Sequence, residues 1–302
     1  MQHTQYQKAD SRRVEGTLFT KSCLIFPVLF SGILTSTFAW SIEVTEGPGL
    51  TMDPNGVTPL AGVVELTTDV PTRATLTISD GTDSRVREFA EFRTEHYLPI
   101  LGLKPDNSYS LQVAVTDQSD ESLIMTSLPA AVTAPPPPDF PDIDVLVSDP
   151  PRMEPGYTLL DKFTRGKPGT PDSSLPSYAI IVDNAGDVVW YSTLGANAMQ
   201  QLPNGNLFYL DGNILEVDLL GNVKQSITPA VGELHHDLFR TTNGTLLSLG
   251  SERVVVYGYP SSYTDPNAPT RNVYVEDTPV VEFLPDGSLL QSWKLTDILE
   301  PT

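Results

Sequence analysis

Leu234-His235-His236-Asp237-Leu238-Phe239-Arg240-Thr241-Thr242-Asn243-Gly244-Thr245-Leu246-Leu247-Ser248-Leu249 is the stretch from which the fold of this chain is read. An apolar-rich run meets Asn243-Gly244 and returns as a second apolar run. Asn-Gly supplies the positive φ that tight primed turns require, so the stretch predicts a β-hairpin. The same pattern stands at Gln201-Leu202-Pro203-Asn204-Gly205-Asn206-Leu207-Phe208-Tyr209-Leu210, without the histidines. The first copy holds two of the chain's four histidines. A shared scaffold with an unshared polar insert is what a site grafted onto a repeat looks like.

Three further hairpin units surround these two: Ala179-Ile180-Ile181-Val182-Asp183-Asn184-Ala185-Gly186-Asp187-Val188-Val189-Trp190, Ile214-Leu215-Glu216-Val217-Asp218-Leu219-Leu220-Gly221-Asn222-Val223, and Val280-Val281-Glu282-Phe283-Leu284-Pro285-Asp286-Gly287-Ser288-Leu289-Leu290. Gly221 lies 35 residues after Gly186, and Gly244 lies 39 after Gly205. A period of about 40 with four short strands per unit is the pattern of a β-propeller blade. The longer gap from Gly221 to Gly287 implies an insertion, assigned to the Pro- and Asn-rich residues 259–271. Residues 143–302 hold three to four such units, whereas propellers close with about four or more. The expectation is an incomplete propeller in a truncated chain.

Upstream, Ala74, Leu76 and Ile78 alternate with polar neighbours, as do Tyr109, Leu111, Val113 and Val115, the period of half-buried strands. Leu103-Lys104-Pro105-Asp106-Asn107-Ser108-Tyr109 has the spacing of the tyrosine corner of immunoglobulin-like and fibronectin-like sandwiches. The fold class read from the chain is therefore all-β: a sandwich over residues 41–134, a proline-rich linker over 135–142, and a partial propeller over 143–302. Pro135-Pro136-Pro137-Pro138 predicts a stiff spacer that separates the two.

Lys8, Arg12, Arg13 and Lys21 precede a mostly apolar run from Cys23 to Phe38. That run is short for a membrane span and is interrupted by Pro27 and Gly32, so residues 1–39 read as a cleaved signal peptide. Its removal takes away the single cysteine, leaving no thiol chemistry. Export without disulfides points to a periplasmic or secreted protein of a bacterial envelope, with no membrane contact once the signal is gone. A net charge of -20, from 38 acidic and 18 basic side chains, excludes nucleic acid as a partner.

At His235-His236-Asp237 and the hairpins around it, the sequence resembles the bacterial arylsulfate sulfotransferase family. The order of parts fits: export signal, small immunoglobulin-like domain, propeller. Met153-Glu154-Pro155-Gly156-Tyr157-Thr158-Leu159-Leu160, the Ile181 to Tyr191 hairpin and Asp297-Ile298-Leu299-Glu300-Pro301 are also similar to family text. The resemblance covers about half of a full-length member. It implies nucleotide-independent sulfuryl transfer from a phenolic sulfate ester to a phenol, with no cofactor and no metal. It gives His236 and His235 as the site residues, where an imidazole meets the sulfuryl oxygens or the phenolic leaving oxygen. The family's covalent histidine has no match, because no histidine follows His236, so the chain as given is expected to be inactive alone. A non-catalytic envelope binding module is the alternative reading, and an oligomer in which partial propellers pair into a ring is a third.

Neighbours on a regular strand point to opposite faces, so only one of His235 and His236 is expected to line a central channel. The same alternation argues against a metal site built from His235, His236 and Asp237. Arg240 and Arg253 read as salt-bridge residues, Tyr257 and Tyr259 as blade packing, and His96 as structural. Asp183, Asp218 and Asp286 recur at hairpin turns, where an Asp caps backbone amides.

Overall fold

The computed structural model describes residues 42–125, 128–162, 177–194 and 197–299. The targeting segment read over residues 1–39 lies outside them. Residues Ser41–Thr302 form one compact unit, and its described part is almost entirely β-structure.

The N-terminal part is built around one long strand. Strand β2 (Gly62–Ser79) pairs along its length with β3 (Ser84–Ile100). Its first half also pairs with β1 (Val44–Met52), and its second half with β4 (Ser108–Thr116). The β2–β3 register slips between Thr67 and Thr72. Pro71 falls in that slip, where a residue without an N–H breaks no ladder bond. The bend lets one strand serve both halves of a curled sheet that β5 (Ser122–Met125) and β6 (Ala131–Val132) extend beside β4. Ala74, Leu76, Ile78, Tyr109, Leu111, Val113 and Val115 are all buried within it, on the predicted alternation. The tyrosine corner is present: the Lys104 backbone N–H donates to Tyr109 Oη at 2.8 Å.

Downstream come sheets of successive antiparallel neighbours. The first is β7 (Thr158–Lys162), β8 (Tyr178–Val182) and β9 (Val188–Ser192). The second runs β10 (Asn197–Gln201), β11 (Leu207–Asp211), β12 (Asn213–Val217) and β13 (Val223–Ile227). The third contains β14 (Leu234–Arg240), β15 (Leu246–Gly250), β18 (Val280–Phe283) and β19 (Leu289–Trp293). Between β15 and β18 the chain leaves the sheet as a separate two-stranded hairpin, β16 (Glu252–Pro260) and β17 (Thr270–Asp277). The insertion therefore begins well before residue 259, and residues 261–269 are only its tip.

All five predicted hairpins form, but not with primed turns. In each, only the glycine has positive φ, from +84° to +87°. The glycine N–H donates to the carbonyl three residues back, as in Gly205 to Leu202 at 2.9 Å and Gly244 to Thr241 at 2.9 Å. This is a type I turn closed by a left-handed glycine, a three-residue loop in place of a two-residue one. The asparagine or aspartate supplies a side-chain acceptor: Asp183 Oδ1 takes the Ala185 and Asp187 amides, and Asp218 Oδ1 takes those of Leu220 and Asn222.

The proline run does not hold the halves apart. Tyr178, Ile180, Val182 and Tyr191 join the core of the sandwich. Ala179 and Trp190, on the other face, pack with Leu207, Tyr209 and Val217 of the second sheet. The first sheet is thus covered on both sides, which is why β8 reads as an unbroken apolar run. Phe140, just beyond the prolines, closes the joint against the Tyr178 and Tyr191 rings at 5.0 and 4.9 Å.

Candidate functional site

Strand β10 lies beside both β7 and β14, so the first strands of successive sheets are neighbours and the sheets fan out from them. The histidine pair sits on one of these first strands. Partners His235↔Leu249 and Phe239↔Leu247 show that β14 advances four residues while β15 advances two. The surplus is a bulge centred on His236, whose φ is +48°. A residue with a Cβ in that conformation costs about 1–2 kcal/mol. Strand β10 has a smaller irregularity at the matching place, with Ala198 at φ +54°.

The segment is not the regular strand on which the alternation argument rests. His235 and His236 do not diverge to opposite faces; their ring centroids lie 5.0 Å apart with planes at 90°. His235 is half-buried, while His236 and Asp237 are exposed. Two adjacent imidazoles, one open to solvent, offer donor and acceptor nitrogens to a single small anion. Among the described residues, no group of three or more His, Cys, Asp and Glu side chains is gathered to hold a metal.

The other end of β14 is fixed by a buried polar knot that the sequence pattern did not single out. Glu216 on β12 is 7% exposed. Its Oε1 accepts from Asn206 Nδ2 at 2.6 Å and Asn204 Nδ2 at 2.9 Å, and Arg240 Nη1 lies 3.4 Å from Oε2. Burial pushes this carboxyl up, but the two amides and the guanidinium outweigh it and hold it below its ordinary value. Arg240 also lies over the Phe208 ring at 5.6 Å, and its backbone N–H donates to Gln200 Oε1. Leu238 is buried in the core of the second and third sheets. The signal was available: Glu216 is a charged residue at a core-facing phase of an apolar strand. Nothing in the sequence marked His236 as left-handed.

The remaining candidates separate cleanly. Arg240 forms a half-buried ion pair, whereas Arg253 makes a surface pair with Glu276 at 3.7 Å. Tyr257 is 77% exposed on the β16–β17 hairpin, and Tyr259 Oη meets Tyr263 Oη at 3.3 Å. Neither packs inside a blade, because the hairpin stands outside the four-stranded sheet. His96 is buried, with Nε2 2.8 Å from Thr72 Oγ1, and burial lowers its pKa.

Residues 144–302 match the arylsulfotransferase (ASST) family, and residues 50–133 match the arylsulfotransferase Ig-like domain. No curated protein matches the chain. Similar solved structures include a protein of unknown function from Bacteroides caccae, at 10% identity over 76% of this chain and 96% of that one, TM-score 0.22. The FN1–FN3 domains of chicken CNTN1 are similar at 10% identity over 84% of this chain and 96% of that one, TM-score 0.20.

Proposed function

Because the chain belongs to the arylsulfotransferase family, we propose that its site serves nucleotide-independent sulfuryl transfer from a phenolic sulfate ester to a phenol. The observation that carries this reading is the histidine pair, set 5.0 Å apart by a left-handed residue on a first strand. In the transfer, the sulfur–oxygen bond to the donor phenol breaks and a new one to the acceptor oxygen forms. The donor oxygen leaves with the bonding electrons and needs a proton; the acceptor hydroxyl must lose one. An imidazole N–H supplies the first need, a neutral imidazole nitrogen the second. N–H donors also stabilise the negative charge spread over the sulfuryl oxygens. His236, exposed, is assigned to the sulfuryl group and leaving oxygen, with His235 beside it. The reading calls for no cofactor. It carries with it export to the bacterial envelope and the domain limits 41–134, 135–142 and 143–302.

The test is release of nitrophenol from 4-nitrophenyl sulfate that depends on an added phenol. Turnover by the chain alone would overturn the expectation that it is inactive, and His236→Ala should then reduce that turnover about a hundredfold, and His235→Ala by less, with circular dichroism unchanged. Activity untouched by both substitutions would place the chemistry elsewhere. A folded chain that binds aryl sulfates without turnover would leave the non-catalytic binding module as the reading.

A further inference from the structure

The sandwich and the first sheet leave between them a cleft of about 310 Å³, near the lower end of small-molecule sites. Its walls are apolar: Ile78 and Leu101 from the sandwich, Ile181, Val189 and Trp190 from the first sheet, and Leu219. The Trp190 indole N–H already donates to the Leu219 carbonyl at 2.8 Å, so this residue has only its apolar ring to offer the cleft. Tyr157 completes the lining, 68% exposed.

Arg85 and Arg87 also line this cleft. Their partners on β2 are Ile78 and Leu76, both buried. Directly paired residues share a face of a sheet. Strand β3 therefore carries arginines on the face where the sandwich carries core residues. Among the described residues neither arginine has a carboxylate partner, although the chain holds 38 acidic side chains. Arg73, Arg93, Arg152, Arg240 and Arg253 all do, and Arg271 on the β16–β17 hairpin is the one other described arginine that does not. Arg85 is also held in place. Its Nη1 donates to the Gly102 carbonyl at 2.7 Å, and a Cβ on Gly102 would come within 2.9 Å of that nitrogen. One of its five N–H groups is used there; the others remain for a ligand. Arg87 lies over the Phe89 ring at 5.7 Å.

We infer that this cleft is a binding site for a small aromatic anion: one or two fused rings bearing a sulfonate, sulfate or carboxylate. The ring lies against Trp190 and the aliphatic wall, and the anionic group pairs with Arg85 and Arg87. The site is separate from the histidine pair and owes nothing to sulfuryl transfer.

Calorimetric titration of the whole chain with 1-naphthalenesulfonate tests it. This probe has no ester oxygen to leave, so it cannot act as a sulfuryl donor. Saturable one-to-one binding is expected, weakened about tenfold or more in the Arg85→Gln, Arg87→Gln double variant. Glutamine keeps a donor for the Gly102 carbonyl, and both positions are exposed, so the fold should survive. Gly102→Ala should also weaken binding by displacing the guanidinium, while His235→Ala and His236→Ala leave it unchanged. Neutral 1-naphthalenemethanol should bind about tenfold more weakly than the sulfonate. The proposal is overturned by absence of saturable binding, by equal affinity for the neutral compound, or by binding that survives in the double variant. Loss of binding in His236→Ala alone would move the anion to the histidine site and overturn it equally.

Discussion

Glu216→Ala removes a carboxylate that ties two sheets together, and its cost can be worked from the contacts. Asn204 and Asn206 lose their shared acceptor, at 2.9 and 2.6 Å, on a residue only 7% exposed. A hydrogen bond to a charged group contributes about 1.5–3 kcal/mol. The two amides belong to a surface turn and partly resolvate, so the lower figure applies to each. The Arg240 contact is long, at 3.4 Å, and its side chain is 31% exposed, which leaves it about 0.5 kcal/mol. The sum is about 3.5 kcal/mol. For a unit of this size that lowers Tm by about 7–14 °C. Urea unfolding followed by tryptophan fluorescence, with thermal melts by circular dichroism, measures the loss. The deficit also depends on pH. The Glu216 pKa in the folded chain lies below its ordinary value of 4.5. The carboxylate's stabilisation is therefore complete above 4.5 and disappears as pH falls through the lower folded value. Wild type and Glu216→Ala should converge in acid. A variant within about 0.5 kcal/mol of wild type at pH 7 would refute this account of the knot.

Two further substitutions probe the scaffold. Tyr109→Phe removes the oxygen that accepts the buried-side Lys104 amide at 2.8 Å and should cost about 1–2 kcal/mol in urea unfolding; no loss would show that water replaces the corner. Gly205→Ala and Gly287→Ala place alanine at nearly the same φ, +86° and +87°, but a Cβ meets nothing within 4 Å at Gly205 and collides with the Thr228 carbonyl at Gly287. The first should cost about 1 kcal/mol from backbone strain and the second at least about 2 kcal/mol; equal losses would dismiss the collision.

The scaffold was legible where local chemistry repeats. Asp-x-x-Gly, Asn-Gly and Asp-Gly marked five hairpins because those residues act within their own turn. Even so, the turns that form are not the primed ones expected, since a type I turn with a left-handed glycine and a primed turn call on the same residues. Longer-range features left weaker traces. A proline run reads as a spacer, and only the contacts of Phe140, Tyr178 and Tyr191 reveal that the two halves share a core. The site was half legible. The rarity of histidine drew attention to His235 and His236, but their juxtaposition depends on a bulge. Bulges are fixed by how β14 meets β15, not by the residue types within it.

The double covering of the first sheet also bears on how the molecule comes apart. In a stack of similar layers, each contacting only its neighbours, the end layer exposes a greasy face unless something unlike the repeat seals it. Here the sandwich is that seal, with Tyr178, Ile180, Val182 and Tyr191 beneath it. An appended domain of this kind is not a passenger that can unfold alone. Peeling it away uncovers the first sheet, so the sandwich and the first sheet should melt in a single cooperative transition.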